Sequence, residues 1–170
     1  MDPLDAGLLL LRVVVGLTFA AHGAQKAFGW WDGPGWERWQ AAIDGMGFRP
    51  SRLFATISMG IELLGGLCLA IGLFTPLAAA ALVGQAAVIV LKVHSPNGFF
   101  NTKGGLEFPL ALGTAIFFIG FVGPGAASLD AAAGFSLPVE VRLILLLAGL
   151  AGGLLTIPLS ETADRSARES

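Results

Sequence analysis

The sequence predicts an all-α, polytopic transmembrane helical bundle, a four-helix core plus a fifth C-terminal span, and three observations carry that prediction. Hydrophobic residues make up 55% of the 170 and charged residues only 13%, whereas a soluble domain of this size carries about a quarter charged. Apolar runs long enough to cross about 30 Å of hydrocarbon recur five times. None of the runs alternates strictly as a barrel strand would, so helices are the way to satisfy the backbone in lipid.

The first predicted span is Leu8 to Phe28. The segment before it, Met1-Asp2-Pro3-Leu4-Asp5, holds two acids and no base, the reverse of a signal peptide's basic start, so the span is expected to be permanent. Gly33-Pro34-Gly35 and Arg49-Pro50-Ser51 bracket the first loop. Inside it Trp36, Trp39, Ile43 and Met46 fall at helical spacing and predict a short interfacial helix over 36–47, with Trp30 and Trp31 extending an aromatic belt. The same tryptophans would equally serve as a cap on the bundle.

Leu53 to Phe74 and Leu77 to Val93 form the second and third spans, and the tight Thr75-Pro76 turn makes them a close antiparallel hairpin. The fourth span, Leu106 to Val122, closes at Gly123-Pro124-Gly125; a small-residue loop, Ala126 to Gly134, leads to the fifth, Val139 to Leu159. Gly149, Gly152 and Gly153 on that segment suit packing against the bundle or against a second copy. Residues 1–159 read as one membrane domain and 160–170 as a polar tail.

Lys and Arg near the span ends set the expected orientation. Lys26, Arg38, Arg49, Arg52, Lys92, Lys103, Arg165 and Arg168 fall on one side, Arg12 and Arg142 on the other. Eight against two places the charged loops and the C-terminus in the cytoplasm and the N-terminus outside, given that all five spans cross. If the fifth segment does not cross, the bias narrows to six against four.

The polar residues at membrane depth gather in the same half. His22, Gln25 and Lys26 lie at that end of the first span, with Thr18 one turn away on the same stripe. Glu62 sits near the middle of the second span, one turn from Ser58, and Gly65 and Gly66 remove side-chain bulk beside it. Lys92 and His94 end the third span, and Glu107 begins the fourth. Isolated charges in hydrocarbon cost several kcal/mol, so Glu62 and Glu107 are expected to pair with His22, Lys26, Lys92 or His94. Glu62 with His22 stands first. Each also has a plainer role: Lys26 and Lys92 as snorkelling anchors, Gln85 as a bond between helices, Glu107 at a helix start and His94 at a helix end.

Several chemistries have no support. Cys68 has no second cysteine to exchange with, and there is no Cys-x-x-Cys-His, no Glu-x-x-His pair and no Gly-rich nucleotide loop. A formal net charge of −2 gives no basic footprint for nucleic acid. No metal ligand set is evident, and a haem held by His22 and His94 would rest only on two histidines at one end of a bundle.

These residues carry a resemblance to the DoxX family of small bacterial and archaeal membrane proteins. Its pieces are Leu11-Arg12, Gly16, Phe19, His22-Gly23 and Lys26; then Gly60, Glu62, Gly65-Gly66 and the run from Gly72 to Ala79; then His94, Gly98-Phe99-Phe100, Glu107 and Ser128-Leu129-Asp130. The resemblance covers roughly residues 8 to 132 and implies a four-helix core and an association with respiratory or sulfur-linked electron transfer, because the family takes its name from a subunit of an archaeal thiosulfate:quinone oxidoreductase. The fifth span and charged tail go beyond that pattern.

Two main expectations follow. In the first, the chain is a redox-associated subunit whose polar pocket receives a quinone: His22, Gln25, Lys26, Glu62 and Lys92 bind the head group, Glu62, His22, His94 and Glu107 move protons, and a partner protein supplies electrons. In the second it is a scaffold, embedded among membrane lipids, whose charged end recruits a soluble partner or a second copy. A small transporter is a third reading, weakened by the absence of an inverted repeat in the hydropathy.

Overall fold

The computed structural model describes residues 2–169, with side chains to residue 160. The helices are α1 (Pro3–Phe28), α2 (Gly35–Gly45), α3 (Ser51–Ile71), α4 (Thr75–Asn97), α5 (Glu107–Val122), α6 (Leu129–Ala132) and α7 (Val139–Glu169), and the described residues contain no strand. By length and composition α1, α3, α4 and α7 as far as Ser160 can cross a membrane. The fourth predicted span is the shorter α5, whose 16 residues reach about 24 Å at about 1.5 Å each. The expected all-α, multi-pass bundle is the observed one.

The termini of the helices differ from expectation for local reasons. α1 starts at Pro3 rather than Leu8, because Asp2 caps it by accepting the Asp5 N–H at 2.8 Å and Pro3 fits the first turn. α2 takes the place of the helix expected over 36–47 and turns its apolar side inward, with Ile43 buried beside Phe48 and Ala55 and with Trp36, Trp39 and Met46 packed on them. Trp30 and Trp31 stay exposed. α7 runs on through most of the stretch expected to be a polar tail; the side chains of Arg165 and Arg168 lie outside the described residues.

Val15 and Phe19 of α1, Leu69 of α3, Leu82 and Val83 of α4, Ile116 and Ile119 of α5 and Leu146 of α7 share one core. Glycines set how closely their helices approach. A Cβ on Gly66 would lie 2.5 Å from the Ala20 nitrogen and 2.6 Å from the Gly16 oxygen, so α1 and α3 pack backbone to backbone. Gly149 and Gly153 of α7 meet the backbone of Ala80 and Gly84 in α4 in the same way. They pack against the chain's own bundle, while Gly152 faces space where a Cβ would meet nothing within 4 Å.

The end of the bundle away from α2 is tied by two buried charges that bond chiefly to backbone. Asp130, 1% exposed, accepts N–H groups from Phe74 at 2.7 Å and Thr75 at 2.8 Å, and so occupies the start of α4. Arg12, also 1% exposed, donates to the carbonyls of Ala70 (3.1 Å), Ala127 (2.5 Å) and Pro124. The α3–α4 turn and the loop after α5 are thereby held together.

The glycine contacts generate a test. Gly66→Val should lower unfolding stability by about 1–3 kcal/mol, because the new side chain meets backbone that has nowhere to move. Gly60→Ala, where a Cβ meets nothing within 4 Å, should leave stability unchanged or slightly raised. Thermal unfolding of both variants in one detergent checks the pair.

Candidate functional site

Ser58 and Glu62 stand one turn apart on α3, and both are buried; Glu62 is 1% exposed. Glu62 lies in a wide π-helical turn, Ile61–Gly65, the kind of local register shift that recurs at functional sites. Gly23 of α1 lies against the backbone of Leu63, leaving no room for a side chain between the two helices. That close approach brings Lys26, one turn further along α1, over the same stretch of α3.

The centre is an ion pair. Lys26 Nζ lies 2.5 Å from Glu62 Oε1 and 4.0 Å from the centroid of the Trp39 ring of α2. Gln85 of α4 donates from Nε2 to the same Glu62 oxygen at 3.1 Å and to Ser58 Oγ at 2.7 Å. The second carboxylate oxygen, Glu62 Oε2, is enclosed and has no hydrogen-bond partner, as is Trp39 Nε1. Enclosed polar atoms in that condition are rare and call for an explanation.

Beside this network lies a cavity of about 270 Å³, walled by α2, α3, α4 and α7. Trp39, Ile43, Phe54 and Val88 make apolar wall, Gly149, Gly152 and Gly153 make a side of little bulk, and Ser58 and Gln85 supply polar groups. Ile57, 45% exposed, also lines it, so the wall continues to the outer surface.

The other expected site residues are placed differently. His22 is exposed and makes no hydrogen bond or ion pair among the described residues, so the expected Glu62–His22 pair is not formed. Helical geometry is the reason: Gly23 and Lys26 occupy the face toward α3, and His22 lies outside it. His94 Nδ1 bonds to the Gly104 carbonyl at 2.7 Å, and Glu107 Oε2 accepts the Asn101 N–H at 3.0 Å. These two shape the loop between α4 and α5 and do not reach Glu62. Lys92, partly exposed on the π turn Ile89–His94, is not a partner of Glu62 either. Gln25 caps the end of α1 through its carbonyl, which accepts the Gly29 N–H at 3.1 Å.

Of the seven expected site residues, Glu62 and Lys26 meet; Gln85, Ser58 and Trp39 complete their surroundings. The spacing of Ser58 and Glu62 marks the first partner, while the reach of Trp39 depends on how the first loop folds back. Asp130 is the buried charge that residue spacing alone does not flag; its signal is a capping serine, Ser128, which bonds the Ala131 N–H at 3.1 Å. Among the described residues no group of three or more His, Cys, Asp or Glu side chains comes together to hold a metal.

The fold and the buried charged pair define a multi-pass helical membrane protein with a polar centre in one half of its bundle. The family model for DoxX matches residues 7–95, more than half of the chain, and the protein belongs to the DoxX family. No curated protein and no solved structure matches it. The match takes in Lys26, Ser58, Glu62 and Gln85, and stops before Glu107, Asp130 and α7.

Lys26→Met should destabilise the bundle by about 3–5 kcal/mol, since it strands a buried carboxylate. Glu62→Gln should do less, because the Lys26 stem can carry its charge to the rim. In the double variant most of the Lys26→Met loss should return, and denaturant unfolding of the four proteins in matched detergent measures the coupling.

Proposed function

We propose that the chain is a redox-associated membrane subunit whose cavity takes the head group of a quinone-class amphiphile, with Glu62 as the group that holds a proton beside it. The observation behind this reading is the second oxygen of Glu62: enclosed, without a partner, on a carboxylate whose other oxygen is saturated by Lys26 and Gln85. A carboxyl with one oxygen fixed by its partners and the other free of hydrogen bonds can carry a proton on the second oxygen without breaking the bonds to the first. The cavity beside it is mostly apolar with a few polar groups, as small-molecule sites are, and its wall continues to the outer surface at Ile57.

A quinone, when bound, supplies two-electron chemistry coupled to protons, and this chain's residues divide the remaining tasks. Lys26 holds the Glu62 charge in place, and Trp39 covers the ammonium group. Gln85 and Ser58 link the carboxylate to the cavity. His22, His94 and Glu107 have no part in this arrangement. Electrons would come from a partner protein docked on the charged loops, which on the Lys and Arg bias face the cytoplasm of a prokaryotic cell.

The saturation of Glu62 Oε1 also favours a second reading, in which the pair fixes helix register in a scaffold subunit. The two readings separate on bound quinone. Protein purified gently from its native membrane should carry about one quinone per chain, enriched over bulk lipid. Gly152→Phe should abolish that enrichment by filling the cavity without touching the Glu62 network, and Glu62→Gln should lower it. No enrichment in the wild type would remove the quinone reading and leave the scaffold.

A further inference from the structure

The hydrogen-bond capacities of Ser58 and Gln85 restrict what the cavity can hold. Gln85 carries two amide hydrogens and both are committed, one to Ser58 Oγ at 2.7 Å and one to Glu62 Oε1 at 3.1 Å. The orientation of the amide is fixed by chemistry: an ionised carboxylate only accepts, so the nitrogen must face Glu62 and the oxygen must turn away. That oxygen accepts no hydrogen bond from any described residue, and Gln85 lines the cavity. Ser58 presents the complement. Its oxygen accepts from Gln85, its own hydrogen is given to no described residue, and it too lines the cavity.

One acceptor and one donor therefore stand side by side at the polar part of an otherwise apolar chamber. A carbonyl or an ether oxygen can use only the Ser58 hydrogen, and it sets an acceptor against the Gln85 oxygen. A hydroxyl uses both, donating to Gln85 and accepting from Ser58. We infer that the ligand is an amphiphile that presents a hydroxyl group at this point, and that within the quinone class the cavity selects the hydroxyl-bearing reduced form over the dicarbonyl form. This deepens the reading of the cavity as an amphiphile site and rests on it.

A pair of compounds without redox chemistry isolates the claim: 4-nonylphenol, which can donate, and 4-nonylanisole, its methyl ether, which cannot. Binding to the full chain in lipid nanodiscs is measured by equilibrium dialysis against empty nanodiscs. The wild type should bind the phenol about tenfold more tightly than the ether, the size expected when a ligand leaves a polar group unmatched. Gln85→Leu should erase the preference, and Ser58→Ala should reduce it, so the claim keeps a test if either variant fails to fold. Gly152→Phe should abolish binding of both compounds.

Equal binding of the two compounds, or tighter binding of the ether, overturns the hydroxyl selection while leaving an amphiphile cavity. Absence of binding by both in the wild type overturns the cavity reading together with the selection. A phenol preference that survives in both Gln85→Leu and Ser58→Ala places the selecting group elsewhere and also overturns the inference.

Discussion

A carboxylate withdrawn from water and set inside an apolar bundle must be compensated within hydrogen-bonding distance, because the desolvation penalty is several kcal/mol. At Glu62 the compensation comes from two other helices at once: Lys26 from α1 at 2.5 Å and Gln85 from α4 at 3.1 Å. Those two bonds fix how α1, α3 and α4 are turned relative to each other. They also decide which residues face the cavity, since Ser58 follows from the same register and Trp39 is drawn over the ammonium. The folding constraint and the candidate chemistry therefore reside in the same atoms.

At the other end of the bundle buried charge is handled in a different way. Arg12 spends its donors on three backbone carbonyls and Asp130 spends its oxygens on two backbone N–H groups. No oxygen of Asp130 is left without a partner, and the bonds join a tight turn to a loop. Such a network holds geometry. In it the enclosed atom without a partner is the hydroxyl of Thr75, whereas in the Glu62 network it is an oxygen of the carboxylate itself, beside a cavity, and that difference is why the proposed chemistry is placed there.

Much of the architecture was legible in the sequence because span length, proline and glycine punctuation, and the absence of alternation each report directly on helices in an apolar solvent. The hairpin at Thr75-Pro76 and the Ser58–Glu62 stripe are examples, and both stand in the structure. The identity of the Glu62 partner was only partly legible. His22 and Lys26 share a stripe, and spacing alone does not say which edge faces α3; the contact of Gly23 with Leu63 decides it in favour of Lys26. The loop roles of His94 and Glu107 depend on turns between Gly98 and Glu107 that have no periodic signal. Beyond the family pattern and the capping serine beside it, no spacing flags Asp130, because its partners at Phe74 and Thr75 lie more than fifty residues away.

The arrangement of α1, α3 and α4 depends on the contact between Lys26 and Glu62. Solid-state NMR of labelled protein in lipid bilayers, recoupling the Lys26 Nζ and Glu62 Cδ nuclei, addresses it without any assumption about ligand or activity. A strong dipolar cross-peak between the two, lost in Glu62→Leu, is the predicted result. A Glu62 carboxyl that couples to the His22 ring, or to no side-chain nitrogen on α1, would contradict the arrangement of the three helices and the cavity that follows from it.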